Sequence, residues 1–185
     1  MKELNRKKFL TWFFTLGIIG IALLCAFLVF HEKRTTKLDP DFMEAVTVVT
    51  PSEEMRVHID SFETWNTWKP GVGVSVNGWV ALTSVEAKKV SIYIVLKDKT
   101  DGSYYKLPTA VIERPDVTTY LNDPAESPNG TPTNYNYSHS GFRVNTGEWN
   151  SLNPNGSQYD LYILYEINNT PYLIDTQVSS KGTGE

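Results

Sequence analysis

The residues with the most chemistry to offer are few. Of the three histidines, His31 abuts a long apolar run and His58 falls in a β-type run. Only His139 sits beside hydroxyls, between Ser138 and Ser140. A serine nucleophile needs a base within hydrogen-bond reach and a third group to orient that base. Here the third group would be Asp116 or Asp123 brought in from elsewhere, and a Ser next to a His along the chain does not itself make a nucleophile and base. The scattered His and Asp residues lack metal-ligand spacing. Asp98 and Asp101 lack the spaced oxygen ligands of a calcium loop, and Glu53-Glu54 is solvated charge in a linker. The sequence therefore predicts a non-enzyme with no catalytic residue, no metal site and no cofactor.

Binding has better raw material. Trp65, Trp68, Trp79, Trp149 and the tyrosines near residue 136 offer flat apolar faces with polar neighbours, which suit sugar rings or protein hot spots. The candidate binding set is Tyr135, Tyr137, Trp149 and Trp79. The first two end a long loop, 122–138, that carries Pro124, Pro128, Gly130 and Pro132 and almost no aliphatic residue. Loops of that length in compact domains are usually functional or mobile. Replacing Tyr135, Tyr137 and Trp149 together is expected to weaken capture of a partner and spare the fold. Trp79 occupies a strand position, where packing competes with binding, and Arg114 with Asp116 reads as an ion pair that fixes a corner.

What must position these residues begins with a membrane anchor. The run from Phe9 to Phe30 carries no charge, and as a helix it reaches roughly 33 Å, enough for a hydrocarbon core of about 30 Å. It is longer than a signal-peptide core and ends without a small-x-small cleavage site. Leu24 before Cys25 does not fit lipoprotein processing, so Cys25 reads as a small apolar residue. Gly17 and Gly20 are three apart, not the four of a dimerisation face. Lys2, Arg6, Lys7 and Lys8 precede the run, while Lys33, Arg34 and Lys37 follow it, and the compact basic start predicts a cytoplasmic N-terminus.

The expected organisation is a cytoplasmic start at 1–8, a transmembrane helix at 9–30, a stalk at 31–54 in which Phe42 to Val49 forms a short helical turn or a first edge strand, an extracytoplasmic domain at 55–180 and a disordered tail at 181–185. Residues 31–185 hold 13 of the 17 basic and 20 of the 21 acidic side chains. A net charge of minus seven without a basic stripe excludes nucleic acid as a partner. The single cysteine lies in the anchor, so the domain has no disulfide framework. A cysteine-free exported domain of this size fits a bacterial envelope. Asn-x-Ser/Thr triplets at Asn129, Asn136, Asn155 and Asn168 read as turn chemistry.

Within the domain the pattern is period two. Val72, Val74, Val76 and Val80 share one face against Ser75, Asn77, Trp79 and Ala81. Ile92, Ile94 and Leu96 oppose Tyr93 and Val95, and Tyr159 to Ile167 alternates in the same way. Asp101-Gly102 predicts a tight hairpin turn between 89–97 and 104–113. Arg114-Pro115-Asp116 bends the chain into an extended Val117 to Leu121, and Asn168-Asn169-Thr170 turns into a second hairpin. Short strands without an amphipathic helix predict an all-β fold, an antiparallel immunoglobulin-like two-sheet sandwich, preceded by the single transmembrane α-helix. A jelly roll is the competing architecture. Residues 55–180 are expected to fold without the anchor.

Between Val74 and Asp175, several segments carry a resemblance: Gly78-Trp79, Ser91 to Lys97, Arg114-Pro115-Asp116-Val117-Thr118, Ser140-Gly141-Phe142 and Tyr159 to Ile163. Together they resemble the extracytoplasmic β-sandwich modules of bacterial envelope membrane proteins, some associated with surface-polysaccharide machinery. The resemblance implies fold and location and brings no catalytic residues. The expected object is a single-pass protein of the cell membrane with its C-terminal domain outside. Its expected role is a noncatalytic interaction module of an envelope assembly, and the alternative is a carbohydrate-binding module for cell-wall or capsule polysaccharide. Its partners would be the membrane, through the helix, and an envelope protein or surface polysaccharide.

Overall fold

The computed structural model describes residues 2–32, 35–67, 71–85, 89–126, 134–147, 152 and 158–180, with side chains of the first helix described for 11–27. The chain forms two compact units, Met1–Arg34 and Thr35–Glu185. The first is helix α1, Lys2–Glu32. Every described side chain along it is exposed, including Trp12, Phe13, Phe14, Ile18, Ile21 and Phe27. The Thr15 hydroxyl donates to the Thr11 carbonyl at 2.8 Å, so this polar group is satisfied within the helix. Among the described side chains, which for α1 are those of 11–27, no helix is long and apolar enough to cross a membrane.

The second unit is a sandwich-like pair of sheets. Its elements are β1 (Thr36–Lys37), α2 (Pro40–Ala45), β2 (Thr47–Val49), β3 (Met55–Asn66), β4 (Val72–Leu82), β5 (Val90–Asp98), β6 (Tyr104–Lys106), β7 (Ala110–Ile112), α3 (Pro115–Leu121), β8 (Gly141–Thr146), β9 (Tyr159–Ile167) and β10 (Thr170–Ser179). A six-stranded sheet runs β1-β6-β5-β9-β10-β2 and a four-stranded sheet runs β3-β4-β8-β7. All pairs are antiparallel except β2, which lies parallel to β10.

The alternation read from the sequence sorts the side chains. Val72, Val74, Val76 and Val80 of β4 meet Ile92, Ile94 and Leu96 of β5 and Leu161, Ile163 and Tyr165 of β9 in the main core. The opposite residues of the six-stranded sheet are buried as well. Val95, Tyr162, Leu164 and Leu173 form a second core with Val46, against which Leu38, Met43 and Tyr93 pack. Gly78 faces the main core opposite Phe142, and a Cβ there would lie 2.3 Å from the His58 carbonyl oxygen and 2.7 Å from the Phe142 ring.

Four expectations change. Residues 36–49, expected within a stalk with a helical turn or edge strand at Phe42 to Val49, are part of the sandwich: they form both edges of the six-stranded sheet and the cover of its outer face, with a helical turn and an edge strand both present. α2 forms there because Pro40 sits in the first turn and Asp39 caps it, accepting from the Asp41 amide at 3.0 Å. The stretch 117–121, expected as extended, is α3. Val117-Thr118-Thr119 reads as strand by β-branching, yet Pro115 and Asp116 start a helix well. Val117 and Leu121, four apart, share its buried face. The return from β5 divides, with β6 pairing on β5 and β7 crossing to β8 in the other sheet. Finally, the turn chemistry is distributed differently. Between β5 and β6 only Gly102 is left-handed (φ 74), whereas Asn168 (φ 50) and Asn169 (φ 67) both are, so the tight two-residue hairpin joins β9 to β10. The tail 181–185 lies outside the described residues.

Because residues 36–49 complete the sandwich, a fragment starting at Thr35 should melt cooperatively with strand-rich circular dichroism. A fragment starting at Met55 should lose at least about 2 kcal/mol, the burial value of one aliphatic side chain such as Val46, and more as Leu38 and Met43 go with it. Denaturant melts of the two fragments, equal within error, would contradict this.

Candidate functional site

The outer face of the four-stranded sheet is where the candidate aromatics gather, and it has two halves. On one half Trp79 of β4 lies against α3. Its ring stacks on His58 at 6.1 Å between centroids and meets Tyr120 edge-on at 6.2 Å. Trp79, Ala81, Val117, Leu121 and Tyr137 form a small buried cluster with Tyr135 packed against it. The end of the expected loop is tied down here. Asn122 donates from Nδ2 to the Tyr135 carbonyl at 2.8 Å and accepts from the Tyr135 amide at 3.3 Å. The Tyr137 amide donates to Thr118 Oγ1 at 2.9 Å, and the Tyr137 hydroxyl accepts from the Ser84 amide at 2.9 Å.

Three of the four candidate binding residues are therefore together, with the Tyr135 and Tyr137 rings 6.2 Å apart. Their exposure differs, and for Trp79 it agrees with the packing role its strand position favoured. Tyr137 and Trp79 are 5% and 8% exposed, so they are packing residues and not contact surface. Tyr135 is half-buried, and Trp149 lies outside the described residues. The physical reason is α3, which the sequence reading treated as extended and which needs a floor of apolar side chains.

Next to this cluster, a cavity of about 250 Å³ is lined by Asn136, Tyr137, His139, Ser140, Val111 and Tyr165, among others. His139 and Ser140 thus share a cavity, but they do not form a nucleophile pair. The Ser140 hydroxyl is buried without a hydrogen-bond partner among the described residues. Asp116 is held by Arg114, and Asp123 accepts from the Ala125 amide at 2.9 Å. Burial pushes the Tyr165 hydroxyl up to about 12, against a lowering hydrogen bond with the Leu82 backbone. Tyr137 is also raised, by burial first, with the Ser84 amide opposing.

The other half is a polar, open groove of about 490 Å³, bordered by Asp60, Ser75, Asn77, Arg114, Arg143 and Asn145, among others. Register builds it, since Asn77 of β4 lies opposite both Ser61 of β3 and Arg143 of β8. Arg143 Nε donates to Asn77 Oδ1 at 3.0 Å, and Asn77 Nδ2 donates to Ser61 Oγ at 3.0 Å. Arg114 closes the groove toward α3. It donates to Asp116 from Nε and Nη2 (2.9 to 3.1 Å) and to Asp60 from Nη1 at 3.0 Å. The hydrogen bond from Arg114 holds the Asp116 carboxyl below its ordinary range, and Asp116 in turn raises Arg114. This confirms an Arg114–Asp116 ion pair at a corner and adds Asp60 to it. Gly141 makes room for the arrangement, because a Cβ there would lie 2.6 Å from Arg114 Cγ.

Sequence reasoning placed Ser75 and Asn77 on the polar face of β4 but missed Arg143 and Ser61. Their signal is cross-strand register, which one strand's alternation does not contain. Among the described residues, no group of three or more His, Cys, Asp or Glu side chains is placed to hold a metal ion. No protein-family model, curated protein or solved structure matches the chain.

The raised tyrosines set an alkaline limit. A folded-state pKa above the unfolded value of about 10 contributes stability that is fully present below pH about 10 and lost as pH rises toward the folded value. For Tyr165 the two-unit rise corresponds to roughly 2–3 kcal/mol. Thermal melting followed against pH should fall steeply above pH about 10, and Tyr165→Phe should flatten that fall. An unchanged alkaline slope in the variant would refute the assignment.

Proposed function

We propose that this chain is a membrane-anchored, noncatalytic binding module of a bacterial cell envelope, an accessory component of a surface assembly. The observation that carries this reading is α1. Its described side chains are apolar around the whole helix apart from Thr11 and Thr15, and all are exposed. A helix apolar all round needs an apolar surrounding. The uncharged run 9–30 extends past residues 11–27 at both ends within the same helix, which gives the length a bilayer asks for. The basic residues before the run favour a cytoplasmic N-terminus and an extracytoplasmic sandwich.

The finer fold reading is immunoglobulin-like, and the strand order supports it. With β3, β4, β8 and β7 taken as A, B, E and D, and β6, β5, β9 and β10 as C′, C, F and G, the two sheets have the ABED and C′CFG arrangements of that architecture. The resemblance to envelope β-sandwich modules points the same way. A carbohydrate partner is the second reading, favoured by the open polar groove of Ser75, Asn77, Arg143 and Asn145. Hydroxyl, amide and guanidinium groups on a rigid sheet are the kind of groups that sugar hydroxyls meet.

Protease added outside intact spheroplasts should degrade the sandwich and leave a fragment containing α1 in the membrane fraction. Full protection of the sandwich, or recovery of the intact chain in the soluble fraction, would reverse this reading.

A further inference from the structure

Resting on the reading of an envelope-facing module, we propose that the groove on the four-stranded sheet is an anion subsite. Arg143 is its recognition fork, and the ligand is a carboxylate or phosphate carried by an envelope polysaccharide. The argument starts from how the sandwich treats its described arginines. Arg56 is paired with Glu53 and Glu126, and Arg114 with Asp60 and Asp116. Arg143 has no carboxylate partner among the described residues, although residues 31–185 carry 20 acidic side chains against 13 basic ones. Its one hydrogen bond uses Nε and goes to a neutral amide, Asn77 Oδ1.

That bond fixes the side chain without neutralising it. Asn77 is itself held by Ser61, so a hydrogen-bonded chain crosses three strands, β8 to β4 to β3. With Nε occupied, the Nη groups of an exposed side chain remain to engage a planar anion. Guanidinium matches carboxylate and phosphate in two parallel hydrogen bonds. On the other side of the groove, Arg114 carries two carboxylates, Asp60 and Asp116, so that corner is net negative by one. Arg143 is the groove's cation without a carboxylate of its own, a single fork and not part of a diffuse basic patch. Ser75 and Asn145, opposite one another in register, supply neutral hydrogen-bonding groups beside it. An anion flanked by hydroxyls is the chemistry of a uronate or of a phosphate-linked polyol. An open groove across a sheet face suits a polymer lying along it.

The test uses the full chain in detergent micelles, with polygalacturonate as the carboxylate probe, purified teichoic acid as the phosphate probe and dextran as the neutral one. The protein should bind one of the two anionic polymers and not dextran, and the polymer that binds identifies the anion. Arg143→Gln should weaken that binding about tenfold or more, as expected for loss of charge-assisted hydrogen bonds, with thermal melting unchanged. Arg143→Lys should fall between, since it keeps the charge and loses the fork, and it keeps the test valid if the Gln variant folds poorly. Lys97→Gln, on the other sheet, should leave binding unaltered. Equal loss in Lys97→Gln, equal binding of dextran, or unchanged binding in both Arg143 variants would overturn the subsite. So would capture of an acidic protein with no binding of either anionic polymer. In that last case a chain still membrane-anchored, with its sandwich protease-accessible, would leave the module reading standing. A chain found in the soluble fraction would remove both.

Discussion

A strand whose side chains are buried on both faces requires two cores, and β9 imposes that requirement on this molecule. Leu161, Ile163, Tyr165 and Ile167 point into the space between the sheets, while Tyr162 and Leu164 point out the other side with Val95 and Leu173. Left uncovered, the outer set would be an apolar patch. The chain meets the requirement with the residues just before the sandwich. β1 lies at one edge of the six-stranded sheet and β2 at the other, so residues 38–46 run across five inter-strand spacings, about 24 Å at the usual strand separation. On the way they lay Leu38, Met43 and Val46 on the exposed side. One short segment thus covers the outer face and closes both edges with strands too short to template further pairing.

The four-stranded sheet solves the same problem only halfway. At the C-terminal part of β4, Trp79 and Ala81 lie opposite the core face and are roofed by α3. The helix is pinned at its start by Arg114 to Asp60 and Asp116, and the segment after it is tied by Glu126 to Arg56. The N-terminal part of β4 carries Ser75 and Asn77 instead, and α3 is only seven residues long. Where the outward residues turn polar the roof stops. The border between buried aromatics and open groove is therefore written in the change from Ser and Asn to Trp and Ala along one strand.

Much of this was readable in advance because alternation is a local signal. β4, β5, β9 and β10 follow from their own residues, and so does the division of Val72 to Val80 from Ser75 to Ala81. Three things were not. The run 36–49 offered a helical turn or an edge strand at Phe42 to Val49, and both form, but its role as a cover depends on a patch made by β5, β9 and β10 far along the chain. α3 has the residues of a strand and the context of a helix, and Val117 with Leu121 decides only once Trp79 lies beneath them. The burial of Tyr137 depends on that same helix, whereas for Trp79 the strand position had already favoured a packing role, and it is buried. The groove was hidden for a different reason, since Arg143 and Asn77 are 66 positions apart and meet only through register.

If the groove is the proposed anion subsite, the Ser61–Asn77–Arg143 chain would serve recognition more than stability. Hydrogen bonds between partly exposed side chains contribute little to folding, because water offers equivalent partners. Ordering an arginine also costs conformational entropy, which an isolated surface bond does not recover. For a ligand the balance reverses. Immobilising a long side chain on binding costs about 0.5–1.5 kcal/mol, and an arginine already fixed through Nε has met part of that cost before the ligand arrives. The sheet adds rigidity that a loop would lack, because Asn77 and Arg143 sit at a paired position between two strands that each bury valines in the core beneath, Val76 on β4 and Val144 on β8. Fixed orientation, a cation without a carboxylate of its own and an open approach coincide at Arg143, whereas Trp79 and Tyr137 are spent on packing against α3.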